Sequence, residues 1–89
     1  MQKHDATAEK ILELLKAALS TDEVQIENQS HMHVGHAGAR SGGGHFFVTV
    51  RSAKFAGLGL LARQRLVNEA VQSLMDKEIH ALSMKCIWP

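Results

Sequence analysis

The chain is poor in cysteine, proline and tyrosine, with one Cys, one Pro and no Tyr. A single cysteine excludes an intramolecular disulfide framework and any all-cysteine metal site within one chain. A single proline leaves no room for a Pro-rich linker, and the lack of tyrosine removes Tyr stacking. No apolar run approaches the ~18 residues of a membrane span. The first ten residues carry Asp5 and Glu9 and lack an apolar run, unlike a secretory signal or an Arg-rich transit peptide. The chain as given reads as intracellular, cytoplasmic first, with the mitochondrion and nucleus as alternatives.

What is present is ordinary in bulk. The 89 residues and 9.8 kDa allow one domain, residues 1–89, with 1–7 expected as a flexible extension. Apolar residues make up 45% and charged residues 21%, which argues against disorder and coiled coil. The net charge of +1 is unevenly spread. Residues 28–68 contain no acid, yet hold Arg40, Arg51, Lys54, Arg63 and Arg65 and four of the six histidines. Such a segment either folds back beside the acidic N-terminal third or attracts an anion.

Periodicity predicts a helix over 8–19, with Ile11, Leu12, Leu14, Leu15, Ala18 and Leu19 on its apolar stripe and Thr7 or Asp5 as cap. Residues 23–28 alternate as a half-buried strand, with Val24 and Ile26 inward, extending toward His33. Residues 35–44 hold five of the seven glycines and predict a mobile connection. Residues 45–51 form the clearest strand, with Phe46, Val48 and Val50 on the core face. After a turn anchored by Phe55, a helix is expected over 60–77, with Leu60, Val67, Ala70, Val71 and Leu74 on one side. The last strand spans 80–88, with His80, Leu82, Met84, Cys86 and Trp88 in one row. The first two strands can pair antiparallel, and a right-handed crossover joins the second to the third. The expectation is an α+β, two-layer domain in the order helix-strand-strand-helix-strand, with helices on one face of a three-stranded mixed sheet.

Several groups could carry chemistry. His31, His33, His36 and His45 lie in or beside the glycine-rich segment, and His80 opens the last strand. Imidazole binds iron, zinc and copper. Spacing alone leaves these histidines as either surface side chains or ligands, and His80 as either a ligand or a hydrogen-bonded core residue. Cys86 reads as a small buried hydrophobe, roughly 20 Å along the strand from His80. No Lys-Ser or Lys-Thr follows the glycines, so they form no P-loop. The central segment has no carboxylate to serve as a general base, and the chain is not expected to be an enzyme. In a regular helix Arg63 and Arg65 would point about 200° apart. Arg63 falls on the apolar side, where a snorkelling or capping role competes with ligand binding. Arg65, Lys54 and Arg51 are either a solvated face or a basic patch.

Gly35-His36-Ala37-Gly38-Ala39-Arg40, His45-Phe46 and Ser52-Ala53-Lys54-Phe55-Ala56-Gly57 resemble, in order and spacing, motifs of the BolA-like proteins. Arg63-Gln64-Arg65-Leu66-Val67 and Ile79-His80-Ala81-Leu82-Ser83-Met84-Lys85 extend the resemblance to about residues 8–88. Three places depart from the family pattern. Gln64 stands where a His is frequent, Asn68 lies near the place of a common Tyr, and Ile87-Trp88-Pro89 replaces a longer tail. The resemblance implies a KH-like, type II-like fold with helix-turn-helix character. It also implies a heterodimer with a monothiol glutaredoxin that shares a [2Fe-2S] cluster for cluster delivery or iron regulation. The ligands implied here are His36 and His80, with His33 or His31 as substitutes for His36, and the partner adds its thiolate and glutathione. Alone, the chain is expected without the cluster, as a monomer or weak homodimer, and off membranes. One alternative is a DNA-binding transcriptional regulator using Lys54, Arg63 and Arg65. Another is a cofactor-free interaction adaptor.

Overall fold

A computed structural model describes residues 4–30 and 43–89. Helix α1 (Asp5–Leu19) leads into strand β1 (Val24–Asn28), strand β2 (Gly44–Arg51), helix α2 (Leu60–Ala70) and strand β3 (Ile79–Ile87). Short 3-10 turns at Ala53–Phe55 and Gln72–Leu74 flank α2. The sheet order is β1-β2-β3, with β1 antiparallel and β3 parallel to the central β2. The domain is α+β with a three-stranded mixed sheet, as the alternation and the helical crossover imply.

The core follows from two periodicities meeting. Ile11, Leu15 and Leu19, spaced by four, make the buried stripe of α1. Phe46, Val48 and Val50, spaced by two, make the buried row of β2. Val67, Val71 and Leu74 come from α2 and the turn after it, and Phe55 is wholly enclosed. Ser52 fastens the layers together. Its hydroxyl donates to the Leu19 carbonyl at 2.6 Å and accepts from the Lys54 amide at 3.1 Å. Its own amide donates to the Ile87 carbonyl at 3.2 Å.

Local corrections to the sequence expectations have physical causes. Helix α1 starts three residues early, at Asp5, and its N-cap position is His4 in a left-handed conformation without a side-chain cap bond. Thr7 and Asp5 therefore do not cap it. Thr7 is buried within the helix, and the Asp5 carboxylate accepts from the Asn28 side chain at 3.4 Å. Ala18 is exposed, because three residues spaced by four already cover the sheet.

Helix α2 ends at Ala70 rather than 77, since Val71 leaves helical geometry with φ −111° and the chain tightens into a 3-10 turn. Leu60 is 65% exposed rather than buried, one turn beyond the point where Arg63 and Phe55 close the core. Trp88 lies past the end of β3 and is part-exposed, with the Arg51 guanidinium 5.7 Å from its ring centre. The expected run of β1 toward His33 stops at Asn28, whose side-chain oxygen accepts from the Ser30 amide at 3.0 Å and turns the chain out of the strand; residues beyond Ser30 lie outside the described residues. Among the described residues, no helix is long and apolar enough to cross a membrane.

Candidate functional site

The heads of β2 and β3 lie side by side because the crossover makes these strands parallel. Their pairing slips there. Gly44 sits opposite Ile79, and the next residue, His45, sits opposite Ala81. His80 is thus the extra residue of a bulge, which breaks the strict alternation along the strand. Ile79 is buried, His80 and Ala81 are both exposed, and the inward row resumes at Leu82, Met84 and Cys86. His80 therefore does not share the row of Leu82, Met84 and Cys86. A two-residue alternation misplaces it because the bulge inserts one residue between Ile79 and the row.

The bulge has two close neighbours. The backbone of Gly43 passes so near that a side-chain Cβ there would meet the His80 amide nitrogen at 2.9 Å and its Cβ at 3.0 Å. The His45 and His80 rings lie with centroids 4.8 Å apart, tilted by 52°. His45 itself is held at both backbone groups. Its amide donates to the Ser30 hydroxyl at 3.1 Å, and its carbonyl accepts from the Gln29 amide at 2.8 Å. The His45 side chain is half-buried, with its Nε2 enclosed, whereas His80 is exposed.

Spacing alone does not predict the pairing of His45 with His80, since the two stand 35 positions apart. A signal existed. Each opens a strand, and a crossover that makes two strands parallel brings their heads together. His36, with His31 and His33, lies outside the described residues. Among the described residues, no group of three or more His, Cys, Asp or Glu side chains is arranged to hold a metal ion.

The basic candidates separate. Arg63 turns back onto the domain: its Nε donates to the Leu58 carbonyl at 2.9 Å and its NH1 group to the Cys86 carbonyl at 3.4 Å. Its guanidinium also lies 5.8 Å from the Phe55 ring centre. Arg51 pairs with Glu23 at 3.4 Å. Lys54 and Arg65 remain exposed. Cys86 is half-buried on the inward row, and burial raises its thiol pKa above the ordinary value, partly offset by the charge of Arg63. A neutral, half-buried thiol is a poor nucleophile and a poor ligand.

The fold and the imidazole pair define a small α+β domain that presents a histidine from a bulge at the edge of its sheet. Comparison with known proteins gives the family. The model of the BolA-like proteins matches residues 15–89, and the chain belongs to that family. The chain is 42% identical over 79 residues to the DNA-binding transcriptional regulator BolA of Vibrio cholerae, covering 83% of this chain and 71% of that one. It is 36% identical over 80 residues to the chloroplastic protein BOLA1 of Arabidopsis thaliana, covering 86% of this chain and only 50% of that protein. Among solved structures, the BolA domain of SufE1 from Arabidopsis thaliana superposes with a TM-score of 0.81 at 30% identity. That match covers 94% of this chain and 93% of that domain.

Proposed function

We propose that this protein is a non-enzymatic BolA-like accessory protein that pairs with a monothiol glutaredoxin and shares a [2Fe-2S] cluster with it, as cargo for delivery or for iron regulation. The observation that carries this reading is the placement of His80. An exposed imidazole on a bulge, backed by a second ring, is an accessible donor aimed away from its own core. The donor set fits a shared cluster better than a private metal site. The described residues offer one accessible imidazole there, and the half-buried Cys86 belongs to the inward row. A second ligand would come from His36, the residue that matches the family motif in the glycine-rich segment. The remaining ligands would come from the glutaredoxin thiolate and its bound glutathione.

When bound, a cluster with imidazole in place of thiolate carries a higher reduction potential than an all-thiolate one. This chain's task is to hold one imidazole at the meeting surface. The test is visible absorption and circular dichroism of the chain reconstituted with a monothiol glutaredoxin, glutathione, iron and sulfide. A spectrum distinct from that of the glutaredoxin alone, and lost in His80→Ala, supports the reading. An unchanged spectrum with no co-elution removes it.

A second reading, a DNA-binding regulator, is favoured by the likeness to the DNA-binding transcriptional regulator BolA of Vibrio cholerae and by the exposure of Lys54 and Arg65. Arg63 contributes little to it, being engaged by two backbone carbonyls and the face of Phe55. Binding that weakens steeply with added salt and falls in a Lys54→Ala/Arg65→Ala double variant would support this reading over the first.

A further inference from the structure

We infer that His45 is a positioning residue for His80: it is the wall against which the exposed imidazole is set, and not itself a ligand. The inference rests on the reading of His80 as a cluster ligand. Three observations carry it. The two rings pack with centroids 4.8 Å apart at a 52° tilt, close enough for one to restrict the rotation of the other. Their mountings differ. His45 sits on regular β2, with its amide bound to the Ser30 hydroxyl and its carbonyl to the Gln29 amide. His80 sits on the bulged residue of β3, which has no counterpart on β2. Their exposure differs as well. The Nε2 of His45 is enclosed by protein, while the His80 side chain stands in solvent. A nitrogen so enclosed cannot meet an ion held by a second protein unless the site repacks, but the ring that carries it can fix a neighbour.

The need for a wall follows from the bulge. A side chain on a bulged residue stands outside the regular ladder, so the ring packed against it helps to set its rotamer. A ligand imidazole performs best when a supporting group fixes its ring orientation, and loss of such support commonly lowers metal affinity by about 10–100-fold. Gly43 packs against His80 as well, because its missing Cβ leaves room for the His80 backbone. The bulged residue thus touches both a firm ring and a bare stretch of backbone.

The experiment compares the full chain with His45→Ala, His45→Phe and His80→Ala. The first readout uses the isolated chain: long-range proton–nitrogen correlations of the His80 ring, with nuclear Overhauser contacts between the two rings. His45→Ala should move the His80 ring signals toward those of a freely rotating histidine, and His45→Phe, which keeps a flat ring, should restore most of the shift. The second readout is the complex with a monothiol glutaredoxin, glutathione, iron and sulfide. There His45→Ala should weaken the cluster-bridged complex by about tenfold and alter its circular dichroism, with recovery in His45→Phe.

Unchanged His80 signals and an unchanged complex in His45→Ala overturn the inference. So does complete loss of the complex in both His45 variants, matching His80→Ala, because that would make His45 a ligand. If the unsubstituted chain forms no cluster-bridged complex, the proposed function falls and the ring signals alone decide the positioning role. If His45→Ala does not fold, His45→Phe and the ring contacts of the unsubstituted chain decide it, and missing contacts overturn it.

Discussion

The two ends of the β2–β3 pair use their polar side chains in opposite ways. At the far end, where the strands finish, Arg63 and Arg51 are engaged by partners within the domain. Arg63 reaches the Leu58 and Cys86 carbonyls, and Arg51 meets Glu23 and the Trp88 ring. At the near end, where the strands begin, His80 is pushed outward by a bulge and backed by His45. One end closes the structure and the other offers a group to something else. Charge in the sequence draws attention to Arg51 and Arg63 at the closing end, whereas the group offered at the other end is an imidazole.

Substitutions should separate the two ends. The largest effect is expected for His80→Ala, which should abolish the cluster-bridged complex while leaving the melting temperature of the isolated chain nearly unchanged, because the side chain is exposed. The converse is expected for Arg63→Ala. It removes two charge-assisted bonds and the cover over Phe55. It should cost about 1–3 kcal/mol in denaturant unfolding, with the cluster complex intact at temperatures where the chain is folded. A complex lost in Arg63→Ala at such temperatures would tie the ends together and break the contrast.

Cys86 gives a smaller and pH-dependent effect. Cys86→Ala should leave the cluster spectrum unchanged. In the unsubstituted chain the raised thiol pKa means that the folded state holds its proton more tightly than the unfolded state. The stability linked to that proton is fully present below the ordinary thiol pKa and is lost as pH rises through the higher folded value. Alkylation of native Cys86 should accordingly be slower than that of the unfolded chain at the same mildly alkaline pH. The smallest effect is expected for Arg51→Gln. Its ion pair with Glu23 is long and solvent-exposed, so unfolding should shift by about 0.5 kcal/mol or less.

Much of the architecture was legible because it rests on repeated patterns. Phe46, Val48 and Val50 declare the β2 face by strict alternation, and Ile11, Leu15 and Leu19 declare the α1 stripe. The features that escaped are single-residue events. Nothing in the alternation announces that His80 is an inserted residue, since the row reads as continuous from 80 to 88 until the register is seen to slip. Leu60 looks like a core residue by angle and is exposed because the packed layer ends before it. The meeting of His45 with His80 depends on parallel pairing across a long connection, and no local window contains both. His36, the other residue implied by resemblance, lies outside the described residues.

That long connection also dates the site within the life of the chain. The two rings come from strands joined by a crossover that includes a 3-10 turn, α2 and a second 3-10 turn. Contacts so distant in sequence carry the full entropy of closing the intervening loop and tend to form late. A nascent or partly unfolded chain would hold both histidines and present neither against the other. The imidazole pair thus doubles as a mark of completed folding, and a partner that docks on it meets finished molecules only.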